Sequence, residues 1–534
     1  MTDADNAGPA PVPADTVEPD AKVSRARRLA FSAMLFAVAM TFIDQTIVAI
    51  ATPSIQSELS LSRSGTQWVV NAYLLALAAT FALGGRLADI LGQRRMVLIG
   101  IVGFAVTSAL CGATPTGSAA ETWIIIFRAL QGVSGAIMIP AALAVVVAIF
   151  PIRERGKALA IFFGVSGAMT SIGPIAGGYL TQWTWRSIFW INVPVAIVAL
   201  VLTLMAGLED KRRRDPIDIP GAILIAAGMG LSVLGFQQAQ TWGWDNPLTW
   251  LCIVGGLVVL VVFARFEARN AHPLVRVQIF RDRAFLVDNG VLFFSMIAFI
   301  PVFFFASVYS QVSLGYDGNQ AGLYLFVFFG GFAPASQISG RMLDKGGAKR
   351  PMLIGSVLAC VGFALWASKL DDLSLSSQWV YIVMAGAGIG FLVGPSSTDA
   401  VNRAINASYG EVTGITQTVR NYGSSLGFAV LGTLLTTRLS NELTSSLVGL
   451  GVPERQAESI GHRAATGSVG SSSFSRAPES IRSQLEKAVQ VDFAHATAAV
   501  LYGMAIALGV CFLIALRHPG GKVEDHEEAT ASDG

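Results

Sequence analysis

Charge is what this chain has least of. Asp, Glu, Lys and Arg make up 13% of its 534 residues, where a soluble protein carries about 25%. Set against 53% hydrophobic residues, that scarcity excludes a water-soluble globule. Cysteine and histidine are also scarce, at four and five residues. Cys111, Cys252, Cys360 and Cys511 stand singly in or beside apolar runs, with no CxxC pair. A disulfide framework and a thiolate zinc site are thereby removed, leaving the role of small apolar filler. No HExxH or Walker loop occurs, and the histidines are scattered. Nothing here calls for an enzyme, a resident metal, a cofactor or a nucleic-acid partner. Long stretches of alternating polarity are missing as well, which excludes an outer-membrane barrel built from strands of about ten residues. The first 28 residues lack the apolar core of a signal peptide and read as a disordered tail, as do residues 518–534.

What the chain does have is apolar runs of about 20 residues, long enough to cross a bilayer as helix. Fourteen can be counted, near 29–52, 67–88, 95–113, 121–149, 157–180, 186–206, 218–239, 248–265, 285–309, 320–340, 351–369, 378–400, 412–437 and 496–516. Backbone groups in lipid must bond within their own segment, so the fold class is an all-α polytopic membrane protein with the lipid bilayer as its solvent. The connections alternate in charge. RARR, GQRR, PIRERGK, EDKRRRD, DKGGAKR and RHPGGK lie on one side; CGATPTGSAAE, TWGWDNPL, SLGYDGNQ and DDLSLSSQ lie on the other. The positive-inside rule puts the basic set and both termini in the cytoplasm. A long loop at about 438–491 falls on the extracytoplasmic side.

Two of the basic connections are near copies. GRLADILGQRRMVLIG (85–100) and GRMLDKGGAKRPMLIG (340–355) agree at eight of sixteen positions, 255 residues apart. The same shift carries the start of the first run onto the start of the ninth. The chain therefore divides into a six-helix bundle at 29–206, a linker at 207–284 with helices seven and eight, and a second six-helix bundle at 285–517. Parallel halves around a central site are a transporter architecture. Within the repeat, Gly85, Arg86, Asp89, Gly92, Arg94 and Arg95, with Gly340, Arg341, Asp344, Gly347 and Arg350, form a pair of expected conformational latches. Glycines allow a tight reversal between helices, and the charges form pairs that hold in one state and release in another. In the second copy, Gly346 and Pro351 are expected to change the turn.

GRLADILGQRR resembles the loop signature of the major facilitator superfamily, and FRALQGVSGA (127–136) resembles its fourth-span motif. SIGPIAGGYL (171–180) resembles the fifth-span motif of its proton-driven exporters, carried by Gly173, Pro174, Gly177 and Gly178; Met169 stands where that motif usually has Gly. FIDQTIVAIATPSIQ (42–56) and QWVVNAYLLA (67–76) resemble the opening of the fourteen-span drug:proton antiporters. The resemblance implies an exporter of lipophilic, often cationic compounds that exchanges them for protons by alternating access, a monomer in the cytoplasmic membrane. An exporter of lipids or secondary metabolites is the alternative, and a non-transporting sensor or scaffold a more distant one.

Two charges lie deep in the runs. Asp44 sits about eight residues before the outer end of span one, and Arg128 about six residues after the outer end of span four. At 1.5 Å per residue both are roughly 10 Å below the outer surface. A charge at that depth is costly and marks a pathway, so Asp44 and Arg128 are expected to face each other and to couple protons. The second half does not mirror them: the shift maps Asp44 to Phe299 and Arg128 to Val383. Aromatics crowd there instead, and an aromatic wall suits a lipophilic or cationic ligand. Phe299, Phe303, Tyr324 and Phe328, with Asp44, Asn71, Tyr73, Gln131 and Arg420, form the expected substrate-binding set. Asp288 and Asp399 are weaker acidic candidates, near enough to the cytoplasm to be hydrated; Arg420 is available to an anionic group or to Asp399.

Overall fold

With no water in a bilayer to satisfy its amides, an apolar run must close its own hydrogen bonds as helix. The computed structural model describes residues 21–208, 210, 218–270, 273, 275–403, 409–465 and 479–521, and among them no strand occurs. The helices are α1 (Ala21–Leu59), α2 (Arg63–Leu91), α3 (Gln93–Gly112), α4 (Ala120–Ile149), α5 (Ile152–Leu180), the short α6 (Ser187–Trp190), α7 (Asn192–Met205), α8 (Ile219–Trp242) and α9 (Pro247–Glu267). They continue with α10 (Arg283–Val312), α11 (Gly318–Gly346), α12 (Lys349–Ala367), α13 (Leu375–Arg403), α14 (Tyr409–Gly449), α15 (Glu454–Ala465) and α16 (Glu479–Leu516). Among the described residues twelve segments are long and apolar enough to cross a membrane, with α6 and α7 together making one of them. The fifth and thirteenth expected spans fall on α5 and α14, which are continuous helices but are not among those twelve.

Helix pairs recur at the repeat distance. In the first part α2 and α3 pack on α4, α1 packs on α5 and α7, and α3 packs on α7. In the second, α11 and α12 pack on α13, α10 packs on α14 and α16, and α12 packs on α16. Glycines on α4 and α13, one residue out of the 255-residue register, permit the close approaches. A Cβ on Gly132 would strike the Tyr73 carbonyl, and a Cβ on Gly386 would strike the carbonyl of Phe328, which lies 255 residues after Tyr73. Small residues of this kind let helices associate where lipid gives no hydrophobic drive. The helices α8 and α9 pack on each other, and α8 also leans on α2 and α14. Contacts between the two parts run mainly through α5–α11 and α2–α14.

Three regions differ from the sequence expectation. Residues 21–28 are not tail but the first two turns of α1. Within 438–491, α14 runs on to Gly449, α15 packs Ala457 against Leu447, and α16 starts at Glu479, so the described part of that loop is largely helical. Polar helices outside lipid leave no hydropathy signal. At the other end His518 is 1% exposed and folds back beneath α10 and α13, so residues 518–521 are ordered structure. Residues 1–20, 466–478 and 522–534, with most of the EDKRRRD connection, lie outside the described residues.

Candidate functional site

The structure brings Asp44 and Arg128 together. Both are buried, at 0% and 1% exposure, and Arg128 Nη1 donates to Asp44 Oδ2. Asp44 Oδ1 accepts from Gln131 Nε2 at 3.0 Å and from Asn192 Nδ2 at 3.2 Å. Arg128 is held from several sides. Its Nε donates to the Val69 carbonyl at 2.9 Å, Nη1 donates to Gln131 Oε1 at 2.7 Å, and the guanidinium lies 4.4 Å from the Tyr73 ring centroid. Asn192 in turn donates to Ser108 Oγ at 3.0 Å, which donates to the Phe189 carbonyl at 2.8 Å. The carboxylate is therefore fixed by α1, α2, α3, α4 and α7 at once. Fully satisfied hydrogen bonding is what allows a charge pair to sit in so dry a place. Asn192 and Ser108 were not singled out from sequence. A polar residue at the mouth of an apolar run looks like a boundary, and a lone Ser looks like packing. Of the expected substrate residues, Tyr73 and Gln131 belong to this network, while Asn71 is half-buried beside it.

Both latch turns have the same backbone. Gly92 (φ +105°) and Gly347 (φ +80°) end α2 and α11, each donating its N–H to the carbonyl four residues back, Ala88 at 3.1 Å and Leu343 at 2.9 Å. The expectation that Gly346 and Pro351 alter the second turn is thus corrected. Gly346 is the last helical residue, and Pro351 sits in the first turn of α12, where a missing N–H costs nothing. The side chains do differ. Arg86 and Asp89 are buried, whereas Arg341, Asp344 and Arg350 are exposed. Gly85 and Gly340 are both buried. Arg94 is half-buried and Arg95 is exposed, its backbone N–H 3.4 Å from Asp210 Oδ1.

On α5, Gly173 and Gly177 are buried, and a Cβ on Gly173 would meet the Thr46 hydroxyl and the Ile43 carbonyl, so the motif brings α5 close to α1. Gly178 is half-buried, Pro174 lies within the unbroken helix, and Met169 is half-buried. The aromatics of α10 and α11 form a ladder. Phe299 stacks on Phe332 at 5.3 Å, Phe303 stacks on Phe329 at 5.4 Å, and Phe328 bridges the two pairs. Tyr324 OH donates to Gln378 Oε1 at 2.7 Å and accepts from Trp366 Nε1 at 3.1 Å. All four expected aromatic contacts are buried. Arg420 does not reach Asp399. Its guanidinium lies 4.6 Å from the Phe163 ring, across the α5–α14 boundary, and its Nη1 has no hydrogen-bond partner among the described residues.

Residues 34–428 match the Major Facilitator Superfamily. This chain belongs to that superfamily. It is 33% identical to the tetracenomycin C resistance and export protein of Streptomyces glaucescens, over 82% of each chain. It is also 33% identical to the puromycin resistance protein of Streptomyces alboniger, over 76% of this chain and 80% of that one. Identity to the multidrug transporter protein MdtP of Bacillus subtilis is 29%, over 79% and 78%. Among solved structures, the proton:xylose symporter XylE covers 83% of this chain and 95% of its own, with a TM-score of 0.55 at 14% identity. A bacterial homologue of the human lysosomal transporter Spinster covers 92% and 98%, with a TM-score of 0.52 at 15% identity. These two likenesses concern the fold. The chain is a helical membrane transporter of the major facilitator type, with drug-resistance exporters among its relatives.

A second charged cluster in this transporter was only half visible in sequence. Asp288 on α10 and Asp399 on α13 are 0% and 2% exposed, not hydrated as expected. Arg403 Nε donates to Asp399 Oδ2 at 2.6 Å, and His518 Nε2 lies 3.0 Å from the same oxygen and 3.5 Å from Asp288 Oδ1. His518 Nδ1 accepts from the Gly520 N–H at 3.1 Å, so Nε2 carries the proton that points at Asp399. Arg403 Nη2 donates to the carbonyls of Gly520 and Gly521 at 3.0 and 3.1 Å, and a Cβ on Gly347 would meet the Gly521 carbonyl. The C-terminal segment thereby joins the second latch turn to the carboxylates. Arg403 and His518 were missed because they follow the apolar runs and read as topogenic charge.

Proposed function

We propose that this chain is a proton-driven exporter of lipophilic, often cationic compounds, cycling by alternating access through fourteen membrane spans. In this reading 29–206 and 285–517 are the moving bundles, 207–284 links them, and the basic connections and both termini face the cytoplasm. The protein acts as a monomer in the cytoplasmic membrane. The observation that carries the reading is Asp44, an acid in the interior of the first bundle held by Arg128, Gln131 and Asn192. Ionised, it accepts every donor aimed at it. Protonated, it loses the charge that holds Arg128, and the network loosens. A cationic ligand and a proton then compete for one carboxylate, which ties their opposite movements together. The latches close one face, the span-five glycines seal α1 against α5, and the aromatic ladder with Arg420 lines the second bundle's side of the path. The names of the tetracenomycin, puromycin and multidrug relatives support export of foreign or self-made toxic compounds.

The tetracenomycin relative also favours a second reading, in which the cargo is a secondary metabolite. The deciding experiment is an efflux screen in cells expressing the chain, with cationic dyes, puromycin and aromatic polyketides as cargo and a proton uncoupler as control. Uncoupler-sensitive efflux of dyes supports the first reading, polyketide efflux alone supports the second, and no efflux of any cargo overturns both.

A further inference from the structure

On the face opposite the basic connections, three elements meet: α14, the start of α16 and the 3-10 turn Leu370–Asp372. Glu442, Asp492 and His495 each offer a donor atom there, all within 4.8 Å of one another. Glu442 Oε2 and His495 Nδ1 are 3.9 Å apart. Asp492 is 4% exposed; its Oδ1 accepts from the Ser446 hydroxyl at 2.9 Å, while its Oδ2 is buried with no hydrogen-bond partner among the described residues. A carboxylate oxygen removed from water without a partner is costly, and a cation is what such an oxygen lacks. On the far side of the imidazole, Asp371 Oδ1 lies 3.4 Å from His495 Nε2. A carboxylate that accepts the Nε2–H fixes the tautomer and turns the Nδ1 lone pair toward Glu442 and Asp492, which is the way outer carboxylates orient metal-binding histidines. The basic group on the same turn, Lys369, is engaged by Asp372 at 3.4 Å.

We propose that Glu442, Asp492 and His495 bind a divalent transition-metal ion, with Asp371 as the positioning residue for His495. One imidazole nitrogen and two carboxylate oxygens suit Zn2+ or Mn2+; a magnesium or calcium site takes oxygens alone. Bonds of about 2.0–2.2 Å draw the donors together. Glu442 and His495, 40% and 42% exposed, have the freedom to rotate inward toward buried Asp492. The Asp288–Asp399–His518 cluster also presents three donors, but there Arg403 occupies the shared Asp399 oxygen and brings a positive charge that repels a metal. A bound ion ties α14 and α16 to the turn between α12 and α13.

The test uses full-length, tag-free protein in detergent, stripped with chelator and titrated with Zn2+ by calorimetry. One equivalent is expected to bind and to raise the melting temperature. His495→Ala or Asp492→Asn should weaken binding at least tenfold, and Asp371→Asn about ten- to a hundredfold, as outer carboxylates do. Exposed Glu458→Gln serves as the control and should leave the affinity alone. If a buried-site variant fails to fold, Glu442→Gln, whose side chain is exposed, replaces it. In Co2+-loaded protein the visible absorption band should change in Asp371→Asn, which a purely structural role would not produce. Absence of saturable one-to-one binding overturns the site, as does wild-type affinity in His495→Ala and Glu442→Gln.

Discussion

Asp44→Asn separates a working charge from a static one. In the wild-type network both carboxylate oxygens accept: Oδ2 from Arg128, Oδ1 from Gln131 and Asn192. An Asn carries one acceptor and one NH2 group. Whichever way it turns, the NH2 meets a donor, and Arg128, 1% exposed, keeps a charge with no counter-ion. Breaking one side of a buried pair costs about 3–5 kcal/mol, so a marked drop in melting temperature is expected in detergent. Replacing both charges is different. Swapping a buried pair for apolar groups is often neutral or stabilising by about 1–4 kcal/mol, so Asp44→Asn/Arg128→Met should recover at least half of the lost stability. Transport should not recover, since neither residue can then exchange a proton or attract a cation. The assay is efflux of a fluorescent cation from proteoliposomes under an imposed pH gradient, with matched protein and an uncoupler control. If Asp44→Asn exports at the native rate, or the double variant regains export with its stability, the pair only fixes packing and the proton path lies elsewhere.

Asp89→Asn removes a buried charged group, whose hydrogen bonds are worth about 1.5–3 kcal/mol, and should slow export about ten- to a hundredfold at equal expression. Asp344→Asn, exposed in the second copy, should change it no more than about twofold, as surface substitutions stay within about 0.5 kcal/mol; equal effects in a rate assay would refute the asymmetry. Phe303→Ala opens a hole in the aromatic ladder that costs about 3–5 kcal/mol, and should impair some cargoes more than others in competition efflux. A uniform loss that tracks folded protein would leave Phe303 a packing residue alone. His518→Ala should free the C-terminal segment, so that trypsin cleaves after Arg517 several times faster in vesicles exposing that face; unchanged cleavage would mean that Arg403 holds the segment by itself.

How much of this could be read from the sequence differs from part to part, for physical reasons. Apolar length reports helices directly, because lipid leaves the backbone no alternative. The Asp44–Arg128 pairing was legible because two charges at equal depth on neighbouring spans have few other partners. Depth says nothing about rotation, however. Arg420 turns to Phe163 on α5, while Asp399 takes Arg403, one helical turn along its own helix. Asn192 was hidden because the break between α6 and α7 places it inside the bundle rather than at its edge. His518 was hidden because hydropathy ends with α16, and a short polar return to the protein surface has no periodic signal.

The two halves share a scaffold and divide the chemistry. Where the first half places Asp44, Arg128 and Tyr73, the 255-residue shift places Phe299, Val383 and Phe328. Arg128 lies over the Tyr73 ring at 4.4 Å, and at the equivalent level Phe299 and Phe328 are 6.4 Å apart, centroid to centroid. The ion pair gives way to Phe299 and Val383 in an otherwise repeated packing. In the proposed cycle a proton bound at Asp44 therefore acts on the first half. At the shifted positions the other half carries Phe299 and Val383, and in that cycle it follows through the helices that join the halves, α5 against α11 and α2 against α14. Two further contacts cross between the halves: Arg420 on α14 over Phe163 on α5, and Gly414 on α14, where an added Cβ would lie 3.4 Å from Ala82 Cα on α2. Both are short-range and would be lost in a cycle that parts the halves. In the proposed cycle the coupling is mechanical: protonation loosens the five-helix grip on Asp44, and the interface transmits the change to a half that carries Phe299 in place of that acid.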